Sequence, residues 1–204
     1  YYKIKIGGDG LYRLTFNDLQ NAGFPVSTVS GSDIILHHNG EKKPLYASTN
    51  GPFSTEDYIE FYGVKNRSVL DQHLFFDPEN HLLNPEYSLY SDTSIFFLSI
   101  DNDNSNVPFE VISNDISNAP AAETHYNEST ALIFNSRFSK NYGSQTVRNS
   151  YFDIAEGFAS QYQLAQTHTL TPTNYAAGQG SGELYIRYAT DYGGDFNNGN
   201  GEHR

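Results

Sequence analysis

Cysteine is absent from this chain of 204 residues, as are methionine and tryptophan. Without a thiol there can be no disulfide, no thiolate nucleophile and no zinc–thiolate site. Basic residues are few: 12 Lys and Arg stand against 24 Asp and Glu, a formal charge of -12. A surface this acidic repels phosphate backbones, so nucleic acid is not an expected partner. It does leave carboxylates free for calcium. No apolar run is long enough to span a membrane. No signal peptide stands at the amino end of this sequence, which reads as a processed or excised piece.

What the chain does have is strand patterning, with 16 Tyr and 14 Phe. "YYKIKI" (1–6) and "LYRLTF" (11–16) alternate on either side of Gly7-Gly8-Asp9-Gly10. A phosphate loop would need a long helix directly after the glycines. A second strand follows instead, so the cluster reads as a hairpin turn using positive φ. "TFNDLQNAG" (15–23) has Thr15 as a helix cap, Asp18 completing a capping box and Gly23 as the stop. It is a short helical turn, near residues 15–22.

Further β-branched or aromatic runs follow at 32–38, 57–63, 86–90 and 94–100, separated by turn residues. The polar stretch "DNDNSN" (101–106) marks a boundary. Beyond it, 109–113, 123–135, 161–172 and 182–190 read as strands, while "FDIAEGFASQY" (152–162) reads either as a bent segment or as a helical turn. Short strands at regular spacing with almost no helix predict an all-β chain of two antiparallel β-sandwich, jelly-roll-like domains. The domains are 1–106 and 107–204, the second incomplete at its C-terminal end, where the loop-like tail replaces an expected strand.

Candidate sites are sparse. Asp101, Asp103 and Ser105 have the alternate spacing of a calcium loop, but Asn106 and Ile112 stand where an EF-hand needs Gly and Glu. A solvated linker competes with calcium there, and Asp191 and Asp195 in the tail are weaker candidates still. His37 and His38 are adjacent in a strand and face opposite sides, so they cannot easily share a metal. The other histidines lack HExxH or HxH spacing. Gly180-Ser181-Gly182 lacks the G-x-S-x-G elbow of a serine nucleophile. Glu56, Asp57, Glu60, Glu123, Glu128, Asp153 and Glu156 could serve a glycoside hydrolase, yet no pair is marked out. Tyr58, Glu60 and Tyr62 share one strand face, Ile59, Phe61 and Gly63 the other. Such aromatics fill sandwich cores by default and make a sugar platform only where exposed.

The order of "YKIKIGGDGLYRLTFNDLQNAGF", "GSDIILHHNGEKKPLY", "EDYIEFYGV" and "YSLYSDTSIFFLSI" resembles the amino-terminal β-rich region of gingipain-like cysteine peptidases. That group includes the sortase of the type IX secretion system of Bacteroidota. The matching residues are Gly10, Tyr12, Leu14, Leu19, Gly23, Asn39, Gly40, Asp57, Ile59, Phe61, Tyr62, Gly63, Phe97 and Leu98. The likeness covers 1–100 well and the second half loosely, with Phe158 standing where the pattern has Trp. It implies a non-catalytic prodomain or accessory module, secreted or otherwise extracytoplasmic, whose partner is a downstream peptidase domain of the same polypeptide. The family's catalytic Cys and His would lie in that later domain, so no catalytic residue carries over and no cofactor is expected. The alternative is a carbohydrate-binding or adhesion module stabilised by calcium.

Overall fold

The computed structural model describes residues 1–102, 105–117, 119–139, 157–161, 165–172, 175–178 and 182–188. The chain divides into two compact units, Tyr1–Arg67 with Tyr90–Pro120, and Ser68–Leu89 with Ala121–Arg204.

The first unit carries strands β1 (Tyr2–Ile6), β2 (Gly10–Thr15), β3 (Ile34–His38), β4 (Glu41–Lys43), β5 (Tyr46–Ala47), β6 (Tyr58–Gly63) and β7 (Ser94–Ile100), with helix α1 (Phe16–Asn21). They form two antiparallel sheets, ordered β1-β7-β3-β4 and β2-β6-β5. The all-β class predicted from strand spacing is what the chain adopts. Alternation in β1, β6 and β7 builds much of the core, while β3 buries Ile34, Ile35 and Leu36 in succession. Ile6, Ile34, Leu36, Phe96 and Leu98 from the first sheet join Ile59 and Phe61 from the second in one buried cluster. Phe16 and Leu19 of α1 close it. A column of rings crosses this core: Tyr12 stacks on Phe61 at 5.9 Å, Phe61 meets Phe96 at 5.7 Å, and Phe96 stacks on His38 at 4.1 Å. Burying each Phe contributes about 1.5–3 kcal/mol.

Local signals behave as the sequence predicts in two places. The Thr15 side chain accepts the Asp18 N–H, and the Asp18 carboxylate accepts the Thr15 N–H, completing the capping box of α1. Gly23 then stops the helix at φ +78°. Asn39 and Gly40, both at positive φ, close the two-residue turn between β3 and β4.

The hairpin expected at Gly7–Gly10 does not form. β1 pairs with β7 and β2 with β6, so the glycine segment carries the chain from one sheet to the other. None of Gly7, Gly8 and Gly10 adopts positive φ. Alternation fixes which face of a strand is apolar but not its neighbour, and two facing sheets satisfy it as well as one hairpin does. Asp9 anchors the crossover. Its carboxylate accepts the Lys65 N–H at 2.9 Å and binds the Arg67 guanidinium through both oxygens at 3.1 and 2.6 Å. Those hydrogen bonds, from Arg67 first, lower the Asp9 pKa to about 2.

In the second unit, helix α2 (Pro78–His81) is capped by Asp77, and β8 (Arg137–Ser139) pairs antiparallel with β9 (Gly157–Ala159). Phe138 and Phe158 face each other across that pair, edge to face at 5.5 Å. Phe75 and Leu82 are buried here beside polar Ser68, Asp71, Asn84 and Ser88. The polar groups have partners: Asp71 accepts the Leu89 N–H, Ser68 donates to the Pro85 carbonyl, and Asn84 donates to the Phe134 carbonyl. The strands expected at 86–90, 109–113 and 123–135 do not form, nor do those within the described parts of 161–172 and 182–190. Val111 is 95 % exposed and Ile112 81 %. A β-prone run without a partner strand has nothing to pay for its ordering. Of the ambiguous 152–162 segment, 157–159 is strand, while 152–156 and 162 lie outside the described residues.

Candidate functional site

The outward face of the β2-β6-β5 sheet in the first unit carries exposed aromatic and apolar side chains. Cross-strand register builds it. Leu11 lies opposite Tyr62, Arg13 opposite Glu60, and Thr15 opposite Tyr58, with Tyr46 on the other side of Glu60. Since Ile59 and Phe61 point into the core, period-two geometry turns Tyr58, Glu60 and Tyr62 outward. Leu11 is 63 % exposed, Tyr62 58 % and Tyr46 42 %.

The charges on this face neutralise each other. Arg13 Nε donates to Glu60 Oε1 at 2.8 Å, and Nη2 approaches the same oxygen at 2.7 Å. The Glu60 hydrogen bond raises the Arg13 pKa, keeping it charged. The guanidinium also lies 3.9 Å over the Tyr58 ring, a cation–π contact. Tyr46 and Tyr58 sit 6.1 Å apart at a tilt. The result is an exposed aromatic surface with an internally paired ion bridge, which suits docking against another surface or against a ring.

The strand reading placed Tyr58, Glu60 and Tyr62 together correctly but assigned the aromatics to the core. It missed Leu11, Arg13 and Tyr46 altogether. The alternation of "LYRLTF" already sets Leu11 and Arg13 on one face. What it lacked was the partner strand.

The remaining candidates are spread out. Asp101 accepts a hydrogen bond from the Ser105 hydroxyl at 3.2 Å, but the Lys42 ammonium donates to that hydroxyl at 3.2 Å and would repel an entering cation. Asp103, Asp191 and Asp195 lie outside the described residues. His37 and His38 do point to opposite faces. His37 bonds Ser99 at 2.9 Å, whereas His38 bonds Ser94 at 2.7 Å beneath Phe96. Burial, followed by the nearby Lys43, lowers the His38 pKa. Among the described residues no three His, Asp or Glu side chains converge on a metal position. Asp57 is held by the Ser54 and Ser48 hydroxyls, Glu60 by Arg13, and Glu56, Glu123 and Glu128 are exposed. Asp153, Glu156 and Ser181 lie outside the described residues. Among the described residues no helix is long and apolar enough to cross a membrane.

Comparison with known protein families, curated proteins and solved structures returns no match. The gingipain-like resemblance therefore rests on the quoted residues alone.

Proposed function

We propose that the chain is a non-catalytic prodomain or accessory module of a secreted gingipain-like cysteine peptidase. Its Leu11–Tyr62 face packs on the peptidase domain of the same polypeptide. The supporting observation is the exposed aromatic surface on β2-β6-β5, whose Arg13 and Glu60 already neutralise each other. Burying such a surface releases apolar area without stranding a charge. Tyrosines at the centre of an interface carry a large share of its binding energy. The cysteine-free composition agrees with a module that leaves the chemistry to its neighbour, and a location outside the cytoplasm belongs to the same proposal.

The test mixes the chain with its downstream peptidase domain and measures both association and inhibition. Wild type should associate at micromolar concentration, and Leu11→Ser/Tyr62→Ser should weaken it by about tenfold or more. If neither association nor inhibition is seen, the proposal is wrong.

A second reading has its own support. Tyr46, Tyr58 and Arg13 form a ring-and-cation cluster of the kind that stacks on sugars, which favours a carbohydrate-binding or adhesion module. A thermal-shift series with a polysaccharide panel, calcium and EDTA separates the two. Stabilisation by a glycan, lost in Tyr46→Ser, supports this reading over docking to a peptidase.

A further inference from the structure

A second surface of the first unit is independent of the aromatic face. Among the described residues β1 is an edge strand, hydrogen-bonded to β7 on one side only. Free edges are templates for an incoming strand. Beside β1 runs a groove whose apolar lining includes Ile4, Leu14, Leu19 and Phe24, with Lys3 and Lys5 also at its border. Register gives the two faces of β1 different chemistry. Tyr2, Ile4 and Ile6 share the core face with Leu98, Phe96 and Ser94, and Ile4 is only half-buried. Lys3 and Lys5 lie on the outer face, opposite Phe97 and Ile95.

The two lysines say what can pair there. They are exposed two residues apart on the same edge, in a chain of formal charge -12, and among the described residues neither has an ion-pair partner. A second copy of β1 laid alongside the first would bring lysines together, and like charges on neighbouring strands are unfavourable. Carboxylates at alternate positions would instead fall beside Lys3 and Lys5. The intervening side chains would then turn toward Ile4, Leu14 and Phe24. Asp18 also borders the groove, but its carboxylate is occupied by the Thr15 N–H and hydroxyl.

We propose that β1 is a receptor edge for an extended peptide segment with acidic side chains at alternate positions and apolar ones between them. Affinity comes from main-chain hydrogen bonds along Tyr2–Ile6, and selectivity from Lys3 and Lys5 on one face and the apolar groove on the other.

The experiment uses the full 204-residue chain and a labelled Glu-Val-Glu-Val-Glu-Val peptide, read by fluorescence anisotropy. Controls are a block peptide of the same composition, Glu-Glu-Glu-Val-Val-Val, and a Lys-Val alternating peptide. The alternating acidic peptide should bind in the micromolar range, and the controls at least about tenfold more weakly. Lys3→Glu/Lys5→Glu, whose fold is checked by circular dichroism, should reverse the preference toward the Lys-Val peptide. No binding of the acidic peptide at about 1 mM overturns the proposal. So does equal binding of the block peptide, or an unchanged preference in the folded variant. Self-association of the chain through protected β1 amides would assign the edge to a second copy instead.

Discussion

Phe61 and Phe96 come from different sheets, are 0 % and 1 % exposed, and meet at 5.7 Å in the middle of the ring column. Replacing either with Leu keeps most of the apolar volume and should cost about 1–1.5 kcal/mol. The direct ring–ring contact adds roughly 0.5–1.5 kcal/mol beyond area burial. Either single change loses that contact, so the double variant should cost less than the sum of the singles by about the same amount. Urea unfolding followed by far-ultraviolet circular dichroism and tyrosine fluorescence gives the cycle, there being no tryptophan. Tyr62→Leu, on the exposed face of the same strand, serves as a control and should stay within about 0.5 kcal/mol of wild type. Additivity of the two core changes to within about 0.3 kcal/mol would mean that the rings do not touch, and the shared core would be refuted.

Other outcomes follow from local geometry. A Cβ at Gly31 would lie 1.8 Å from the Thr49 carbonyl oxygen, whereas one at Gly63 would meet the Tyr12 ring at 2.8 Å. Gly31→Ala should therefore destabilise at or above the upper end of about 1–3 kcal/mol, and Gly63→Ala by less, as chemical denaturation will record. Asp9 titrates lower in the folded chain than in the unfolded one, so its stabilisation is present above about pH 4 and is lost as pH falls toward 2. Melting temperatures of wild type and Asp9→Asn should differ at pH 7 and converge near pH 2. Thr15→Ala removes the α1 cap and should cost about 1 kcal/mol in the same denaturation assay.

The first unit was legible where a signal is local. The capping box at Thr15 and Asp18, the Asn39-Gly40 turn and the alternation of β1, β2, β6 and β7 each depend on residues close in sequence. Pairing is not local. The same alternation fits a β1–β2 hairpin and two facing sheets, and what distinguishes them is β7, some 90 residues away. Downstream, Val111, Ile112, Tyr185 and Ile186 have strand-like composition yet are exposed, because β-propensity expresses itself only against a partner strand. The candidate site was half visible. Tyr58, Glu60 and Tyr62 could be grouped by period two, but their exposure, and the arrival of Leu11, Arg13 and Tyr46 beside them, depends on which strand pairs with β6.

Docking through an exposed sheet face is tested most directly by backbone amide shifts of the isotope-labelled chain titrated with the peptidase domain that the proposal places downstream. The perturbations should centre on Leu11, Arg13, Tyr46, Glu60 and Tyr62 and should disappear with Leu11→Ser/Tyr62→Ser. Binding that leaves those amides unmoved, or shifts confined to the opposite sheet, would contradict it.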